Sequence, residues 1–278
     1  MMAKGRGGEA AGAGGGRRGS SRRASRSGRR RAAQGAPSEL STAADRIPGW
    51  AAPLVFLIAT LVLFRGFLFS DLMLLGQDTL GLGYVARAFF ADALATSGFP
   101  LWNPFLLGGT PFLDSLAGGD SLYPPSLLLL VVLDTYRALG WKLILHVFLA
   151  GCFMYGWLRT VGVSRGAGLV GGLAYLMAPY MVTLVYPGHD GKLFVTALTP
   201  LVFWMSEWTL IRRGFVPLAA LGGSVALVIL TTHFQMAYFL FGGVGAYMIL
   251  RTVQLARGGD GWGGAGKRFA LFVVFSVV

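Results

Sequence analysis

Past residue 49 the chain is a succession of apolar runs separated by short polar connections. A helix needs about 20 apolar residues to cross about 30 Å of hydrocarbon. Residues 50–70, 142–158, 166–186, 193–211, 215–232 and 234–250 approach that length. A further run from Phe269 stops at Val278, about half of what a crossing needs, so the sequence reads as the N-terminal portion of a longer protein. Trp50 suits an interfacial anchor at the start of the first run. The pattern predicts an all-α fold, a polytopic transmembrane helical bundle over residues 47–278 with a large loop, residues 71–140, after the first span.

Inside that loop, Leu82, Val85, Phe89 and Leu94 fall on one helical face of residues 79–97, with Arg87 and Asp92 elsewhere. That amphipathic pattern predicts a helix lying in the membrane interface. A Pro/Gly-rich irregular stretch follows over 99–125. The short apolar run at 121–137 is either a crossing or a re-entrant piece.

Charge decides between these and orients the bundle. Residues 1–46 hold eleven Lys/Arg against Glu9, Glu39 and Asp45, a net +8 of the chain's +12. The tail is Arg/Gly/Ser/Ala-rich with almost no large apolar residue, so it cannot bury a core and is expected to be disordered. It reads as a cytoplasmic extension drawn to anionic headgroups rather than as a nucleic-acid-binding arm. A cytoplasmic N-terminus puts the 71–140 loop outside. Arg159 and Arg165 then reach the cytoplasm only if 121–137 is interfacial or re-entrant and 142–158 is the second span. The same rule places Arg212, Arg213, Arg251, Arg257, Lys267 and Arg268 inside.

The candidate chemistry collects on the outer side. An ionised carboxylate is too costly in hydrocarbon unless it faces water or a partner, and the loop carries Asp71, Asp78, Asp92, Asp114, Asp120 and Asp134. Asp78, in GQDTLG, suits a general base at the bilayer edge, a helix N-cap, or both. Asp114 and Asp120 either hold a divalent cation through oxygen ligands or are solvated turn residues, so a metal stays open. Trp102, in PLWNP, either packs on a sugar ring or prenyl chain or anchors the interface. Arg65 either snorkels or pairs with an anion in a polar cavity.

Gly188-His189-Asp190-Gly191-Lys192 is the most unusual cluster. A helix that opens with a Lys is suited to phosphate, which makes Lys192 and His189 candidate phosphate ligands and Asp190 a cavity candidate. Thr231-Thr232-His233-Phe234-Gln235 adds His233 and Gln235 at the same face. His146, within an apolar run, reads as a packed or interhelically bonded side chain. HExxH, P-loop, GxSxG and paired-Cys metal spacings are absent from the sequence, and Cys152 is a lone cysteine.

Taken together, GQD at 76–78, PLWNP at 100–104, GGTPF at 108–112, YPP at 123–125, LHVFLAGCFMYGWLRTVGVSR at 145–165 and GHDGK at 188–192 resemble the bacterial YfhO-like membrane protein family. That family lies within the GT-C class of integral membrane glycosyltransferases. The resemblance covers residues 50–278. It implies a GT-C-like bundle in the bacterial cytoplasmic (inner) membrane, with a large first extracytoplasmic loop. It also implies transfer of a sugar from a polyprenyl-phosphate donor to an envelope glycan or lipid acceptor. In GT-C enzymes an acidic residue of the first external loop is the catalytic base, and Asp78 is the matching position, with Asp71 the lesser choice. The competing expectation is a transporter or lipid flippase, which calls for ionisable residues deep in the bundle and broken helices near the midplane. No nucleic-acid partner is expected.

Overall fold

In the computed structural model, residues 47–278 are described except 75, 114–118, 213 and 278. The basic tail, Asp114 and Arg213 therefore lie outside the described residues. The described residues are mostly helical. In order come α1 (Ala51–Leu63), α2 (Arg65–Leu68), a π-helical turn (Thr79–Tyr84) and α3 (Val85–Thr96). The hairpin β1 (Trp102–Asn103) and β2 (Thr110–Pro111) leads to α4 (Pro124–Val132), α5 (Thr135–Thr160), α6 (Arg165–Leu176), α7 (Pro179–Val185) and α8 (Asp190–Ile211). Last are α9 (Phe215–Leu230), α10 (Phe234–Leu255) and α11 (Gly261–Val277).

Among the described residues four helical segments are long and apolar enough to cross a membrane: Thr135–Thr160, Arg165–Val185, Asp190–Ile211 and Phe234–Gly258. The expected first span is shorter than the sequence suggests, because α1 gives way to α2 at Phe64. The expected span at 215–232 is the 16-residue α9. The Arg165–Val185 segment breaks before Pro179, where Ala178 adopts the extended backbone that a following proline imposes.

Two boundaries of the loop need correction. Leu133 and Asp134 are extended, so the apolar run at 121–137 splits into the nine-residue α4 and the beginning of α5. Consequently α5 starts at Thr135, and the loop does not extend to residue 140. The nine residues of α4, about 13 Å at 1.5 Å per residue, are too few to cross.

The core runs along α5 and α8, joined by Phe56, Leu143, Val147, Leu176, Leu193, Phe194 and Leu198. Helices α5 and α6 approach closely at Gly151 and Gly172. A Cβ on Gly172 would stand 2.4 Å from the Phe56 ring and 2.9 Å from the Gly151 carbonyl. Close backbone approach of this kind gives van der Waals contact where lipid offers no hydrophobic driving force. Within α8, Pro200 cannot donate to the carbonyl four residues back, and the Tyr175 hydroxyl donates to that Thr196 oxygen instead, at 2.8 Å. A second core, Phe90, Phe112, Leu130 and Ala138, fastens α3, the hairpin and α4 to the first turns of α5. Phe90 and Phe112 stack there with centroids 5.1 Å apart.

Candidate functional site

The N-terminal ends of α8 and α10 and the second and third turns of α5 converge on a cavity of about 690 Å³, closed on its other side by the π-helical turn and α3. The partial positive charge of two helix starts, those of α8 and α10, therefore faces one space. Asp78, Arg87, Asp120, Lys142, His189, Asp190, Lys192 and His233 line it.

Two segments remote in sequence lock together at its rim. The Asp78 N–H donates to the Pro187 carbonyl at 3.0 Å. A Cβ on Gly76 would stand 2.6 Å from that carbonyl, and one on Gly188 (φ +87°) 2.0 Å from Thr79 Oγ1. Only glycine fits at either point. The contact sets His189 Nε2 2.9 Å from Asp78 Oδ2, with Asp78 59% and His189 34% exposed. Asp78 does sit at the start of the π-helical turn, but its side chain makes no capping hydrogen bond. It is also more open to water than a partly shielded base at the bilayer edge.

Below the rim lies a buried charge ladder. Arg87 Nε donates to Asp120 Oδ1 at 2.8 Å, and its Nη2 contacts the same oxygen. Lys142 Nζ donates to Asp120 Oδ2 at 2.9 Å and to Asp190 Oδ2 at 2.6 Å. Burial opposes the charge on Asp120, yet Arg87 and Lys142 outweigh it and hold the carboxyl far below the usual carboxylate range. Burial opposes the Arg87 charge too, and Asp120 and Asp190 overcome it, raising its pKa. Asp190 Oδ1 accepts from the Gly191 N–H at 2.8 Å, so the ladder holds the backbone at the start of α8.

Lys192 stands apart from this pairing. It lies in the first turn of α8, where a cation meets the positive end of the helix, and its ammonium makes no ion pair among the described residues. His233 caps α10, its Nδ1 accepting from the Met236 N–H at 3.3 Å. Burial, with Lys192 and His189 adding, lowers the His233 pKa. This keeps the ring neutral, as the cap requires.

Other expected site residues fall elsewhere. Arg65 is exposed and donates to the Val62 carbonyl at the end of α1 at 3.1 Å, away from the cavity, so its assignment to a phosphate site is corrected. Trp102 lies in the hairpin against Gly109, outside the cavity lining, and Gln235 is likewise not among the lining residues. Asp120 does line the cavity but is saturated by two cations, which corrects the expectation of a solvated turn or a metal ligand. Among the described residues no group of three or more His, Cys, Asp or Glu is placed to hold a metal ion.

Sequence reasoning passed over Arg87, Lys142, Tyr123 and Arg137. Lys142 had marked the start of a span, but it lies two turns inside α5 and is 5% exposed. On the same face one turn on, the His146 Nδ1–H donates to the Lys142 carbonyl at 2.6 Å, and Nε2 accepts from Tyr123 Oη at 2.6 Å. Burial, with Asp120 adding, raises the Tyr123 phenol and keeps it a donor. Arg137 donates to the Phe67, Ser70 and Leu72 carbonyls, closing the chain after α2. The detectable signal was the i, i+4 pair Lys142 and His146 in an apolar helix, since ionisable residues there require partners. No family model, curated protein or solved structure matches the chain.

Proposed function

We propose that the chain carries the reacting end of an integral membrane glycosyltransferase that moves a sugar from a polyprenyl-phosphate donor to an envelope acceptor on the extracytoplasmic face. The YfhO-like and GT-C resemblance supplies the reaction class. The observation that supports it most is the large cavity lined by both an open carboxylate, Asp78, and a cation, Lys192, that has no carboxylate partner among the described residues. A transfer of this kind needs a base for the acceptor hydroxyl and a positive group for the departing phosphate. Lys192, backed by the helix starts of α8 and α10, suits the phosphate. The basic tail and the arginines at the opposite helix ends support a cytoplasmic N-terminus and an external cavity.

The transporter or flippase reading draws on ionisable groups within the spans. Those groups are closed off: His146 is taken up by Tyr123 and the Lys142 carbonyl, and Glu207 by Tyr247 and Arg251. The test is transfer from a polyprenyl-phosphate sugar by the full protein in liposomes. Asp78→Asn removes proton-accepting capacity with little change in volume and is expected to cost about 10²–10⁴-fold in rate. Wild-type transfer by this variant would remove Asp78 as the base.

A further inference from the structure

We infer that His189 is a positioning residue for Asp78, fixing which carboxylate oxygen meets the acceptor; the inference rests on the glycosyltransferase reading. A free carboxylate has two equivalent oxygens and turns about its Cβ–Cγ bond. His189 Nε2 at 2.9 Å from Oδ2 removes that equivalence and leaves Oδ1 for the acceptor. In the transfer step the acceptor oxygen bonds to the anomeric carbon as the bond from that carbon to the donor phosphate oxygen breaks. The electron pair leaves with the polyprenyl phosphate, and the hydroxyl proton passes to Asp78 Oδ1. His189 neither gains nor loses a proton. Its Nε2 faces Oδ2.

The pairing is built into the backbone, unlike a chance meeting of two surface side chains. Asp78 and His189 are held by the 3.0 Å hydrogen bond from Asp78 to Pro187, by the glycine contacts at Gly76 and Gly188, and by the His189 N–H donating to the Leu184 carbonyl at 2.9 Å. The next residue, Asp190, is anchored on Lys142 at 2.6 Å. The imidazole thus stands on a platform fixed from both sides. Preorganisation of this kind matters because a misplacement of about 1 Å costs about 10²-fold in rate.

The experiment measures kcat and donor KM in proteoliposomes for the wild type, His189→Ala, His189→Gln, Asp78→Asn and the double variant Asp78→Asn/His189→Ala. His189→Ala is expected to lower kcat about 10²-fold while donor KM stays within about threefold, the signature of an interaction that acts on the chemical step. Glutamine carries an N–H at a similar reach, so His189→Gln should recover kcat to within about tenfold of the wild type. The double variant should be no slower than Asp78→Asn alone, because His189 acts through Asp78. Multiplying losses in the double variant, or a His189→Gln as slow as His189→Ala, would overturn the inference. Wild-type kcat in His189→Ala beside an inactive Asp78→Asn would also overturn it and leave the glycosyltransferase reading standing. Full activity in both single variants would remove both.

Discussion

Asp120 and Glu207 are 2% and 1% exposed, and each is held by a guanidinium, yet their surroundings differ. Glu207 lies 17 residues along α8 from Asp190, about 25 Å at 1.5 Å per residue. It accepts from Tyr247 Oη at 2.6 Å and Arg251 Nε at 2.9 Å, both on α10. That contact is a staple between two helices, and its arginine is 26% exposed and also reaches Gln254. Asp120 instead binds two nearly buried cations from α3 and α5, and Lys142 carries the connection on to Asp190 at the cavity wall. A buried ion pair is weak evidence for stability, because desolvation offsets much of the attraction. What separates these two carboxylates is what they hold: one joins helices, the other fixes the wall of a cavity.

The comparison predicts unequal damage when each charge is removed. Asp120→Asn removes the carboxylate that Arg87 and Lys142 share in a buried site, and losing one partner of a buried pair costs about 3–5 kcal/mol. Glu207→Gln leaves Arg251 able to turn toward solvent and keeps an acceptor for Tyr247, so about 1–3 kcal/mol is expected. Thermal unfolding in detergent reads both. Equal losses would erase the distinction, and a larger loss at Glu207 would reverse it.

Gly188→Ala sharpens the comparison without altering any charge. A Cβ there would stand 2.0 Å from Thr79 Oγ1 at φ +87°, so the rim must shift, at a backbone cost of about 1–3 kcal/mol. Transfer should fall by more than the loss of folded protein explains, while Gly222→Ala, in open space on α9, should leave both unchanged.

The smallest effect is expected at His233. His233→Ala removes a cap and should cost about 0.5–2 kcal/mol, with His233→Asn restoring most of it. Because the folded-state pKa is lowered, the cap's contribution is fully present above the unfolded value of about 6.5 and is lost as pH falls through the folded one. Asparagine does not titrate, so on acidification wild type should lose stability relative to His233→Asn, and the small neutral-pH advantage of wild type should narrow and then reverse. A pH-independent difference would show that the ring does not serve as the acceptor.

How much of this was legible follows the range of the interactions. The apolar runs predicted α5, α8 and α10 because helix periodicity and span length are local properties. GHDGK and GQD stood out because their residue types are unusual beside such runs. Arg87, Asp120, Lys142 and Asp190 did not assemble on reading, since successive partners are 33, 22 and 48 residues apart. Lys142 stood only as the first residue of the expected span 142–158. Its ammonium is stabilised by two carboxylates that only the tertiary fold brings to it. Arg65 failed for the opposite reason: nothing in the fold turns it toward the cavity.

The central claim is that the donor phosphate is received at the cavity holding Asp78 and Lys192, and not at the helix ends near Glu207. A polyprenyl phosphate with a photoreactive group beside its phosphate, crosslinked to the protein in liposomes and mapped by peptide mass spectrometry, tests this directly. Adducts within residues 187–193 and 231–234, reduced in Lys192→Ala and partly restored in Lys192→Arg, are predicted. Adducts concentrated around Arg159, Arg212 or Arg251, and unaffected by Lys192→Ala, would contradict it.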